Sequence, residues 1–238
     1  MAGPPGASIP PTASISPGAA IPLPARPERV PGLILLPVLS TILFYFAPQT
    51  IQDTVAAQFL PQALSYLGLG IWGRVNGQVV QRLGLESHRL KSGLAWGAIV
   101  GIILGTINVL VILKAVPWLG YDITFLTETP HARLPLWVMI PWFVCVIAVF
   151  VEVNFRGYIL GRLLGLSVPA PLAVVLSAVL FSFDPFMVTT FRHLHWIAVW
   201  DGIVWGMMWI KLRNLYAVIT AHAVEVIVMY CVVRAALS

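Results

Sequence analysis

Seven apolar runs dominate this chain, near residues 33–47, 55–72, 93–113, 134–152, 170–186, 197–210 and 214–233. A helix of about 20 apolar residues spans a bilayer. In hydrocarbon every backbone N–H and C=O must be satisfied internally, which a helix does within one segment. The runs therefore predict an all-α fold: a polytopic membrane helix bundle of about seven transmembrane helices. The shorter runs must draw on their flanks. The second run carries Gln58, Pro61 and Gln62, so lying flat in the interface is its alternative. Charge agrees, because only 10% of the 238 residues are Asp, Glu, Lys or Arg, against about 25% in soluble domains. A soluble enzyme and a nucleic-acid module are excluded. The net charge of +5 reports topology instead.

Residues 1–31 stand apart from the membrane-embedded stretch 32–238. They hold nine of the 19 prolines, interleaved with Ala, Gly and Ser. Such a segment buries no core and reads as a disordered arm, serving as a spacer or a partner-binding tail. Cys145 and Cys231 lie inside apolar runs and read as small hydrophobes. With seven crossings, ten Lys and Arg fall on one side and four on the other. The positive-inside rule then places the N-terminal tail in the cytoplasm. The expected location is a bacterial inner membrane, with the lipid bilayer as surroundings and no nucleic-acid partner. Oligomeric state is not legible.

Glycine is patterned in the third run. Gly93, Gly97, Gly101 and Gly105 are each four apart, which makes one smooth helix face for close approach of a neighbour. Packing within the bundle is the expected use. Gly202 and Gly206 repeat the device.

An ionisable group inside a membrane span needs a partner or a task. The candidates are Glu152, Arg156, Asp201, His222 and Glu225, with Asp184, His193 and His195 near span ends. Glu152 and Arg156 are four apart, so they share a helix face. They predict either an ion pair that locks the fourth span or a carboxylate tuned to act on water. His222 and Glu225, three apart, also share a face. Asp201 is expected to serve Arg156 or a backbone amide. Arg192 and Trp196 suggest interfacial anchoring of the segment that holds His193 and His195. A zinc site from Glu152, His195, His222 and Glu225 is chemically allowed, but no HExxH accompanies it, and no cofactor is expected.

The stretch from Glu152 through Asn154, Phe155, Arg156 and Gly157 to Tyr158 resembles the first motif, E-E-x-x-x-R, of the CPBP intramembrane proteases, the CAAX-protease and bacteriocin-processing family. Leu215–Ala223, with Ile219 and His222, is similar to the family's last block. Asp201–Gly206 is similar to the glycine-bearing helix before it. The resemblance covers about residues 134–230. Three motif positions depart from it: Val151 replaces the first Glu, Pro185 a His, and Val226 the final Asn. The resemblance implies an intramembrane glutamate-type endopeptidase acting on a membrane-associated or prenylated protein. Glu152 would be the base on water, oriented by Arg156, and His222 would donate to the oxyanion. His195 or Asp184 would stand in for the missing His, and Glu225 would orient His222. The departures support an alternative, a non-catalytic membrane scaffold or chaperone on the same fold. A proton-coupled carrier using Glu152 and Asp201 is a third reading, weakened by the lack of a visible repeat.

Overall fold

The computed structural model describes residues 28–129 and 132–237. Most of the N-terminal arm thus lies outside the described residues. Every described secondary-structure element is helical, and the chain is a helical membrane bundle. We number the helices that build it α1 (Pro31–Phe46), α2 (Val55–Asn76), α3 (Leu90–Leu110, continued to Trp118 through a wider π turn at Val111–Ala115), α4 (Leu136–Gly165), α5 (Ala170–Ser182), α6 (Pro185–Phe191), α7 (Ile197–Leu212) and α8 (Leu215–Leu237). Each of the seven apolar runs is therefore helical. Three stretches are long and apolar enough to cross a membrane: Val79–Trp118, Leu136–Gly165 and Leu215–Leu237. The pair α5 and α6, bent by 55°, would make a fourth.

Local chemistry explains the breaks. Thr54 caps α2 by accepting the Ala57 N–H. Asp184 accepts the Phe186 N–H at 3.1 Å and Pro185 follows at the first helical position, so α6 starts afresh after the bend. Gly84 has φ +73°, and a Cβ there would stand 2.9 Å from the Arg213 carbonyl carbon. Only glycine lets the turn before α3 lie against the α7–α8 turn, where the Leu215 N–H meets the Gly84 carbonyl at 3.1 Å.

The glycine face of α3 packs inside the bundle, along α8. A Cβ on Gly97 would stand 2.5 Å from the Ala217 carbonyl oxygen, and one on Gly101 would stand 2.6 Å from that of Ala221. Gly93 meets Tyr216 and Gly105 meets Val228, so the two helices run parallel with backbones in near contact. Gly202 on α7 rests against Ala178 of α5, and Gly206 against Val174, so these two are antiparallel. Together the two contacts fix where α3, α5, α7 and α8 place their few polar side chains.

One boundary differs from expectation. The fourth run does not end at residue 152; α4 continues to Gly165 with π turns at Phe143–Ile147 and Val153–Leu160. Arg156, four residues beyond the expected end of that run, is wholly buried in mid-helix. Phe155, Tyr158, Ile159 and Leu160 are apolar and buried around it, which keeps the helix going. At the other margin, Glu28 is docked rather than loose. It accepts from Trp72 Nε1 and pairs with Arg162 Nη1 at 2.5 Å, while the Arg162 guanidinium lies 3.9 Å from the Trp72 ring centroid.

Candidate active site

Glu152 and Arg156 sit one turn apart on α4 and form the expected ion pair, Nη1 to Oε1 at 3.1 Å. Both are fully buried. The same Oε1 meets His222 Nδ1 from α8 at 2.7 Å. Aromatic faces enclose this cluster. The Arg156 guanidinium lies over Phe181 at 4.6 Å and over Trp205 at 4.9 Å. Trp205 stacks on the His222 ring with centroids 4.5 Å apart and planes 19° from parallel. The π faces partly replace the water that a buried guanidinium loses. Gly202 is part of the arrangement, because a Cβ there would come within 3.1 Å of Arg156 Nη2.

A second polar cluster lies beside the first. Asn108 of α3 donates through Nδ2 to Asp201 Oδ1 and Oδ2 at 3.1 and 3.0 Å, and to Glu225 Oε1 at 2.8 Å. Its Oδ1 accepts from Trp200 Nε1 at 2.9 Å. Asp201 and Glu225 are 4% and 3% exposed. The Arg156 charge acts on Asp201, as the sequence suggested, but its direct hydrogen-bond partner is Asn108, which sequence reasoning did not consider. The available signal was an amide in an otherwise apolar run, since such a group demands a partner inside a membrane.

Both clusters border one cavity of about 630 Å³. Asp201, Trp205, His222 and Glu225 line it, with Phe155 and Phe181 among its apolar walls. Val151 and Val226 also line it. These are the positions where the motifs of the resembling family carry Glu and Asn. Glu152 does not line it, whereas His222, its hydrogen-bond partner, does.

Two expected members are elsewhere. His195 Nδ1 faces the Ser182 carbonyl at 3.2 Å, and its ring packs edge-on against Phe183. Asp184 accepts from Gln62 Nε2 at 2.9 Å and caps α6. Neither makes a hydrogen bond or ion pair with Glu152 or His222, because the α5–α6 bend holds both of them in its own local network. Glu225 does not orient His222 either. Glu152 does, and Glu225 is held by Asn108. Nor is the zinc set assembled: no group of three or more His, Cys, Asp or Glu among the described residues could hold a metal ion. His193 lies apart as well, stacked on Tyr121 at 5.0 Å.

The structure thus places a buried acid, imidazole and guanidinium beside an apolar cavity, with the imidazole on its wall, inside a helical membrane bundle. Residues 133–228 match the family model described as type II CAAX prenyl endopeptidase Rce1-like, in agreement with the CAAX-protease resemblance of the sequence. The family consists of proteases that act on membrane-associated proteins. No curated protein and no solved structure matches the chain.

Proposed function

We propose that the protein is an intramembrane endopeptidase that cleaves membrane-associated or prenylated proteins, with His222 as the base on water and Glu152 as the group that holds it. The observation that carries this reading is the 2.7 Å contact from Glu152 Oε1 to His222 Nδ1, with the ring at the cavity wall. A carboxylate on Nδ1 fixes the tautomer and leaves Nε2 toward the cavity, the division of labour found in histidine–carboxylate hydrolases. This reverses the roles expected from the motifs. Glu152 is fully buried and off the cavity lining, whereas His222 lines the cavity, which supports this assignment. Water would lose a proton to Nε2 as its oxygen joins the peptide carbonyl carbon. The C–N bond then breaks, and the same proton passes to the leaving nitrogen. Arg156 anchors Glu152 throughout. We place the basic ends of the helices, and the N-terminal arm with them, in the cytoplasm of a bacterial inner membrane, with seven crossings. A reporter fused after Ser238 is then non-cytoplasmic.

Purified protein in liposomes, given membrane peptides with and without a prenyl group, tests the chemistry by mass spectrometry of the products. Glu152→Gln and His222→Asn are expected to slow cleavage at least about 100-fold, the usual scale for losing a positioned base. Equal cleavage by wild type and both variants overturns the reading.

The scaffold alternative has its own observation, the two valines at the cavity wall. It forecasts no cleavage of any peptide and a cellular phenotype that survives Glu152→Gln.

A further inference from the structure

The Asn108–Asp201–Glu225 cluster is not used by the chemistry just described, and its electrostatics are unusual. Two carboxyl groups share one amide donor; among the described residues no Lys, Arg or His makes a direct ion pair with either, although the nearby Arg156 charge acts on Asp201. Burying a carboxylate without a cation is expensive, and inside a membrane such groups mark a ligand or ion pathway. Here both face the 630 Å³ cavity. A third acceptor faces it too. His222 is 5% exposed and donates Nδ1–H to Glu152, so a neutral ring keeps its lone pair on Nε2. That nitrogen has no hydrogen-bond partner among the described residues. His222 and Glu225 lie one turn apart on α8, and Glu225 and Asp201 touch the same Asn108 nitrogen.

We propose that the floor of the cavity is a binding site for a primary ammonium group carried on an apolar stem, held by Asp201, Glu225 and His222 Nε2. The match is one of valence and charge. An ammonium has three N–H donors and no acceptor; the floor offers three acceptors, two of them carboxyl groups that a bound cation would hold in their ionised form. The walls (Phe155, Phe181, Ile197, Val226 and their neighbours) suit an apolar stem. In the endopeptidase reading, on which this clause alone rests, the ammonium is the new amino terminus of the cleaved product. The leaving nitrogen becomes an amine when it takes up the proton from His222, and an ammonium when the newly formed carboxylic acid gives it a second; the acids then hold it until release. A long-chain amine presents the same chemistry.

The test reads binding and is independent of cleavage. The full chain in zwitterionic nanodiscs is titrated calorimetrically with dodecylammonium, dodecanol and dodecanoate, with empty nanodiscs subtracted. Wild type is expected to bind the amine at least about tenfold more tightly than the alcohol, and dodecanoate more weakly still. Asp201→Asn and Glu225→Gln each lose that preference while still binding dodecanol. If either variant fails to fold, the ranking of the three ligands on wild type decides alone. Equal binding of amine and alcohol, or preference for the carboxylate, overturns the proposal. So does a preference that survives in both folded variants. A second arm distinguishes product from free amine. A peptide matching the C-terminal cleavage fragment competes with dodecylammonium, and its N-acetylated form does not. If the amine binds but nothing is cleaved, the ammonium site stands and the endopeptidase reading falls.

Discussion

The two polar clusters of this bundle lie side by side and are built on opposite principles. In the first, Glu152 faces a guanidinium and an imidazole, so its negative charge is answered twice on one oxygen. In the second, Asp201 and Glu225 share a neutral amide and have no cation within ion-pair range among the described residues. The first meets the cavity through His222 and not through its carboxylate, and the second borders it with both acids. The contrast teaches how a membrane interior holds ionisable groups. A balanced cluster survives as structure and can orient a base. An unbalanced one is sustained by what it binds. Substitutions that hit both clusters, then one, then neither, separate these claims.

The largest effect is expected at the device the clusters share. Gly97→Leu drives a side chain into the Ala217 carbonyl and Thr220 Cβ, both 2.5 Å from where its Cβ would stand. α3 and α8 must then separate, which pulls Asn108 away from Glu225 and shifts His222. Overpacking of this kind costs about 1–3 kcal/mol in adaptable cores, and backbone-to-backbone contact leaves little room to adapt. We expect loss of monodisperse protein in detergent, read by size exclusion. A folded Gly97→Leu that still binds dodecylammonium would show that the stripe does not position the floor.

Next comes the balanced cluster. Arg156→Met leaves Glu152 buried without its cation, and breaking a buried pair from one side costs about 3–5 kcal/mol. The double variant Glu152→Gln, Arg156→Met removes both charges and should recover part of that loss. Thermal unfolding of the four proteins yields the coupling. Strict additivity would mean that the 3.1 Å pair contributes nothing.

A smaller change is expected from Asn108→Leu. It removes the shared donor and exposes Asp201 to Glu225 without mediation, costing about 1–3 kcal/mol for the unsatisfied groups. If the floor is an ammonium site, dodecylammonium should stabilise this variant more than it stabilises wild type, since the ligand replaces the lost donor. Equal stabilisation of the two would argue that Asn108 does not tune the site.

Much of the architecture is legible in the sequence because it depends on local properties. Apolar runs locate the helices, and the four-residue spacing of Gly93, Gly97, Gly101 and Gly105 marks a face for close packing. The Glu152–Arg156 pair follows from its spacing on a helix. What spacing cannot reveal are contacts made by packing. His222 and Glu225 share a face on α8, yet tertiary neighbours claim them separately: Glu152, 70 positions away, takes one, and Asn108, 117 positions away, takes the other. The contact of buried Glu152 with His222 is likewise a matter of how α4 and α8 meet. The end of α4 was misplaced because a buried arginine reads as a loop residue until its aromatic enclosure is seen.

The smallest effect separates sequence position from spatial position. His195 is one of the two residues expected to stand in for the missing motif His, but its Nδ1 is turned to the Ser182 carbonyl. Ser182 Oγ closes the same local loop by donating to the His195 carbonyl at 2.5 Å. The pair joins the end of α5 to the start of α7 across the bend, which is a structural task. His195→Gln keeps a donor near that carbonyl, so we expect cleavage within about twofold of wild type and a small loss of thermal stability, about 1 kcal/mol for one neutral hydrogen bond. A 100-fold loss of cleavage at unchanged stability would place His195 in the reaction instead. The base would then be supplied from the α5–α6 bend rather than from α8, and the balanced cluster would be only a clamp.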